Sequence, residues 1–185
     1  MKKVNKIFAL LMLVILVSPA FNSCKKGEND PAISLKSRDG RLAQTWKLTG
    51  IEGTIVSTYG GDAVTTTYAF DGSIFSQTST PGGTSTATGT YEMIIEKNGN
   101  MSFAETLTPS NGTADIATGE GHWQWIDSDK NKSFLIIDGG SNIFSGGLLY
   151  VDRLAGSELV LKETTKNTTN SNTSSTDLTY TFEKQ

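Results

Sequence analysis

The chain has 185 residues, 36% of them hydrophobic and 19% charged, with a formal net charge of −3. One cysteine and one histidine exclude an internal disulfide and a zinc site built from His and Cys ligands. Removing Lys2, Lys3 and Lys6 of the leader from the 16 basic residues leaves 13 against 19 acidic ones, a balance that argues against a nucleic-acid partner, whose phosphates need clustered Lys and Arg.

The first segment splits into three regions. Lys2, Lys3 and Lys6 give a positive start, Ile7 through Val17 is unbroken apolar sequence, and Ser18–Ser23 leads into Cys24. This is the layout of an export signal. The apolar run is shorter than the roughly 20 residues a permanent bilayer-spanning helix needs. Cys24 follows small Ser23 and resembles the lipobox cysteine of bacterial lipoproteins. The resemblance implies removal of Met1–Ser23 and lipid on the Cys24 sulfur. Two or more acyl chains anchor stably, at about 0.8 kcal/mol per buried methylene.

Lys25–Arg38 is polar and carries Gly27 and Pro31, so residues 24–40 are expected to form a flexible tether. Extended at about 3.3 Å per residue, the tether would reach roughly 45 Å. Glu28 and Asp30 follow Cys24 as acidic residues do in some surface-exported lipoproteins of Bacteroidetes-type bacteria. Periplasmic and surface display both stay open.

The rest, residues 41–185, is one domain's worth of chain. It shows no helical periodicity. Thr, Ser, Val, Ile, Tyr and Phe dominate, broken by turn signals such as Gly60-Gly61-Asp62, Asp71-Gly72, Asn98-Gly99 and Asp138-Gly139-Gly140. Asp-Gly and Asn-Gly supply the positive φ of tight hairpins. Period-2 alternation gives each strand one buried face. Tyr91, Met93 and Ile95 share a face, as do Trp123 and Trp125, Leu159 and Leu161, and Leu178, Tyr180 and Phe182. Phe134–Asp138 is a short apolar run expected to be buried on both faces, and Thr164–Thr176 is a polar stretch expected to be a hairpin loop. The reading is an all-β, antiparallel up-and-down barrel of eight to ten strands, closed because closure removes exposed edges.

Catalytic and metal constellations do not emerge. His122 alternates with Trp123 and is expected to face solvent, without a neighbouring acid or nucleophile to act with. Asp127–Asn131 alternates oxygen ligands, but Lys130 and Lys132 intrude, so a solvated turn is expected there rather than a calcium loop. No cofactor motif is present; the Gly-rich pieces precede no helix, as a phosphate loop would. Glu105 shares parity with Met101 and Phe103, so it is expected to point inward, lining a polar cavity or sitting at the barrel mouth. The mouth is favoured, because ionised side chains are rarely fully buried.

Leu42–Leu48 with Trp46, the Gly121–Trp125 segment, and Tyr150–Leu154 leading to Glu158–Leu161 resemble the lipocalin-like lipoproteins of Bacteroidetes-type bacteria. The resemblance covers about Leu42 to Phe182. It implies a lipocalin-like barrel with an interior site for an apolar or amphipathic small molecule. Trp123, Trp125, Tyr91, Phe103, Glu105 and Tyr150 are then the candidate ligand contacts, since aromatics line most small-molecule sites. Aromatics also fill small barrel cores. The expected protein is therefore a non-enzymatic outer-membrane lipoprotein of the cell envelope, held by Cys24, that binds a small ligand. The alternative is a structural or accessory lipoprotein that docks to an envelope protein complex and has no small-molecule site.

Overall fold

The computed structural model describes residues 29–31, 34, 36–110, 112–126, 132–169 and 172–185. Cys24, the leader before it and the Asp127–Asn131 turn lie outside the described residues. The alternating segments form ten antiparallel strands: β1 (Thr45–Tyr59), β2 (Asp62–Phe70), β3 (Ile74–Thr80), β4 (Thr84–Ile95), β5 (Asn100–Pro109), β6 (Asp115–Trp125), β7 (Phe134–Asp138), β8 (Gly147–Leu154), β9 (Glu158–Thr169) and β10 (Asn172–Lys184). Each pairs with its neighbour in sequence, and β1 pairs with β10 to close an up-and-down barrel. Among the described residues no helix is long and apolar enough to cross a membrane.

The two ends differ. At the lower end β1 also pairs with β4 through Thr45–Ile94, Trp46–Met93 and Lys47–Glu92. The lower ring therefore bypasses the β2–β3 hairpin, and ten strands less these two leaves eight. That number suits an interior filled by side chains. Trp46, Leu48, Tyr91, Met93, Leu149, Leu154, Leu161 and Phe182 are all fully buried there. The upper end is richer in Thr and Ser and its walls are only half-buried.

Two bulges correct the strict alternation. Register shifts between Leu48 and Gly50 in β1, so that Trp46 and Leu48 point inward and Ile51 does so as well. A second shift between Val151 and Arg153 does the same for Leu149, Val151 and Leu154 in β8. An extra residue flips the parity of everything after it. Both keep the apolar side chains inside.

Three expectations change. Phe134–Asp138 is buried on one face only; Leu135 and Ile137 point inward while Phe134 is 42% exposed. Thr164–Thr176 is mostly strand: β9 and β10 continue as a ladder up to Thr169 and Asn172, because Thr favours pleated structure even when solvated. The tether stretch is partly docked. Arg38–Leu42 forms a short helix, α1, capped by Ser37, whose hydroxyl accepts from Gly40 N at 3.1 Å.

The docking uses a buried ion cluster. The Asp30 side chain is completely buried between Arg38 Nε at 3.6 Å and Arg41 Nη2 at 2.8 Å. Its other oxygen accepts from Leu154 N at 2.8 Å. Nearby Asn29 bonds Asp152 and receives Arg153. Two guanidiniums share one carboxylate, so removing Asp30 would leave buried positive charge uncompensated. Above them α1 seals the floor: the Trp46 indole donates to Leu42 O at 2.8 Å.

Candidate functional site

The shortness of β7 and β8 shapes the site. β7 pairs with β6 only over His122–Trp125, and β8 pairs with β9 only over Leu159–Lys162. Among the described residues, the upper halves of β6 and β9 have no strand between them. The β7–β8 connection, residues 139–146, turns inward at this level. Ile143 is 5% exposed and Phe144 is fully buried. Glycines frame the segment. Gly139 and Gly146 have φ of 130° and 70°, values L side chains rarely adopt, and a Cβ on Gly146 would meet Gly139 O at 2.7 Å.

Phe144 sits in an aromatic box. Its ring centroid lies 5.0 Å from Tyr180, 5.8 Å from Tyr91 and 5.8 Å from Phe182. The Tyr180 and Phe182 contacts are edge-on, the favourable quadrupole arrangement. Phe103 stacks on Tyr91 at 6.0 Å, and its ring fills the space a Cβ at Gly119 would need.

A carboxylate holds the segment in place. Glu105 accepts from Ile143 N at 2.9 Å and from the Ser141 hydroxyl. Ser141 Oγ in turn accepts from Ile143 N and Phe144 N, each at 3.3 Å. Glu105 is 2% exposed. This corrects the expectation of a carboxylate at the mouth: Glu105 is deeply buried because the inward loop supplies the donors its charge needs.

Tyr91 faces Glu105 across the β4–β5 ladder. Its hydroxyl is buried and has no hydrogen-bond partner among the described residues. Burial, and then the nearby Glu105 charge, push its ionisation well above the ordinary tyrosine range. Tyr180 behaves differently. Its hydroxyl donates to Glu163 at 3.1 Å, and burial raises the Glu163 pKa above the ordinary carboxylate value.

The six predicted contacts thus separate. Tyr91, Phe103 and Glu105 come together around the loop. Trp123 and Trp125 instead close the lower end. Their indoles donate to Glu96 O at 2.6 Å and to Asp39 at 2.7 Å, so both polar handles are already used within the protein. Arg38 and Lys132 approach the Trp125 ring to 5.5 and 5.9 Å. Tyr150 points outward, against Phe134 at a centroid distance of 5.4 Å. It has the parity of exposed Leu148 and not of buried Leu149 and Val151. Phe144, Ser141 and Ile143 were missed. Their signal was an Ile-Phe pair between two glycine pairs, which reads as turn.

His122 is exposed, as the alternation predicts. It lines an outer groove of about 590 Å³ with Glu96, Asn100, Glu120 and Asp138. Among the described residues no three His, Cys, Asp or Glu side chains converge to hold a metal ion. Compared with protein-family models, curated proteins and solved structures, the chain matches none.

Proposed function

We propose that this protein is a cell-envelope lipoprotein, held in the outer membrane by lipid on Cys24, whose barrel binds a small amphipathic molecule without catalysis. In this reading residues 139–146 form a lid, and Phe144 occupies the ligand's place until the ligand displaces it. The observation that carries the reading is the Tyr91 hydroxyl, buried beside Phe144 without a partner among the described residues. An unpaired buried hydroxyl costs roughly 1–3 kcal/mol, and such groups are uncommon in native interiors. A ligand with an acceptor atom would relieve it, while its apolar body takes over the contacts with Tyr180 and Phe182. The gap between β6 and β9 gives an entry path, and the glycine pairs give the hinges.

A second reading is supported by the outer face of β7 and β8. Leu148 is 52% and Phe134 42% exposed, next to Tyr150. Such a strip suits docking to an envelope protein complex.

Native mass spectrometry of protein extracted from its own cells separates the two. Ligand binding predicts a population carrying one extra small mass, lost in a Tyr91→Phe, Glu105→Gln double variant. Bare protein throughout, with a photocrosslinker at Leu148 capturing a single envelope protein, would replace the first reading by the second.

A further inference from the structure

We infer that the lower end of the barrel, where α1 and Asp30 are clamped, faces the lipid surface that holds Cys24, and that the upper end points away from it. The inference rests on the lipoprotein reading. It adds which surface meets the membrane.

The decisive quantity is a length. Read as a free tether, the chain between Cys24 and the barrel would allow any orientation. Asn29 and Asp30 are instead fixed to the end of β8 through Asp152, Arg153 and Leu154, and to α1 through Arg41. Asn29 is the fifth residue after Cys24. Five residues reach at most about 18 Å. The barrel is longer than that: β1 has 15 residues, or roughly 50 Å along the strand and ~40 Å along the axis at the usual tilt. The attachment point therefore cannot lie near the upper turns.

The short reach from the clamp places the lid and the upper opening toward the aqueous side. A ligand would reach the barrel from water or from another protein rather than laterally from the bilayer.

The test uses the full lipidated chain in vesicles of phosphatidylethanolamine and phosphatidylglycerol with acceptor dye on the headgroups. A donor dye is placed on Ser157→Cys at the lower end or on Thr169→Cys at the upper end. Energy transfer is expected to be severalfold stronger from position 157. Inserting a Gly-Ser linker of about ten residues after Lys26 should reduce transfer from position 157, and it leaves the clamp and the fold untouched. Asp30→Ala should bring the two positions closer together. Equal or reversed transfer on membrane-bound protein would overturn the orientation. Recovery of the chain in the soluble fraction would overturn the lipid anchor itself, a different failure with a different readout.

Discussion

Glu105 on β5 accepts from Ile143 N at 2.9 Å, tying the wall of the barrel to a loop 38 residues away in sequence. The carboxylate and the loop need each other. Without the loop, Glu105 would be a buried charge lacking donors. Without Glu105, the Ser141 hydroxyl would lose its acceptor and the Ile143 amide would keep only its longer contact with Ser141 Oγ at 3.3 Å.

Glu105→Ala should therefore lower stability by about 2–3 kcal/mol, the cost of orphaning buried donors to a charged acceptor. The effect should be local first. Hydrogen exchange of residues 141–144 should accelerate well before that of β4 and β10. Unchanged protection in the loop would mean that the carboxylate does not hold it.

Asp30→Ala should be among the most damaging single substitutions outside the core. It leaves Arg38 and Arg41 buried with their carboxylate gone, and about 3–5 kcal/mol is expected by urea unfolding. Lys132→Ala is the control. Its bridge to Asp39 is partly exposed, with about a third of the Lys132 side chain accessible, and should be worth less than about 1 kcal/mol. Similar losses from the two would remove the distinction between clamp and surface pair.

Glu163 gives a pH signature. Burial raises its folded pKa above the ordinary 4.5, so the folded state prefers the protonated acid. Its contribution is complete below pH 4.5 and declines as pH rises through the raised value. In Glu163→Gln that decline is absent. The stability difference, wild type minus variant, should shrink from pH 4 toward pH 7 in urea titrations. Parallel pH profiles would show that Glu163 is not the group responsible.

The barrel was legible because its signal is local. Period-2 alternation in Tyr91–Ile95, Leu159–Leu161 and Leu178–Phe182 reports a buried face directly, and these residues line the core. The bulges were not legible. Leu48 and Ile51 break parity, and nothing in the residues between them announces which one is extra. The site was half legible. Tyr91, Phe103 and Glu105 lie on strands, where parity gives direction. Phe144 lies in a connection, where no period applies and only tertiary contact decides whether a side chain turns in. Tyr150 was misplaced for a related reason: the aliphatic run Leu148-Leu149-Tyr150-Val151 has no polar residue to mark its outer face.

Asp30 was invisible in a stretch whose composition reads as solvated linker. Its burial follows from Arg38 and Arg41, which sit on one side of a helix of only five residues, too short to show periodicity. A single carboxylate in a polar segment carries no local sign that it will be the partner of both.

In the proposed function Phe144 stands where a ligand binds. The most direct measurement is a fluorescence titration of wild type and Phe144→Ala with 1-aminoanthracene, a flat apolar probe with one polar edge. Truncating a buried Phe should cost about 3–5 kcal/mol of stability, so near-UV circular dichroism must first establish that the variant is folded. Folded Phe144→Ala is expected to bind the probe at least about tenfold more tightly than wild type, a difference of roughly 1.4 kcal/mol, and adding Tyr91→Phe should weaken the gain. Equal, weak binding by folded Phe144→Ala and wild type would contradict the proposed function and leave Phe144 as core packing alone.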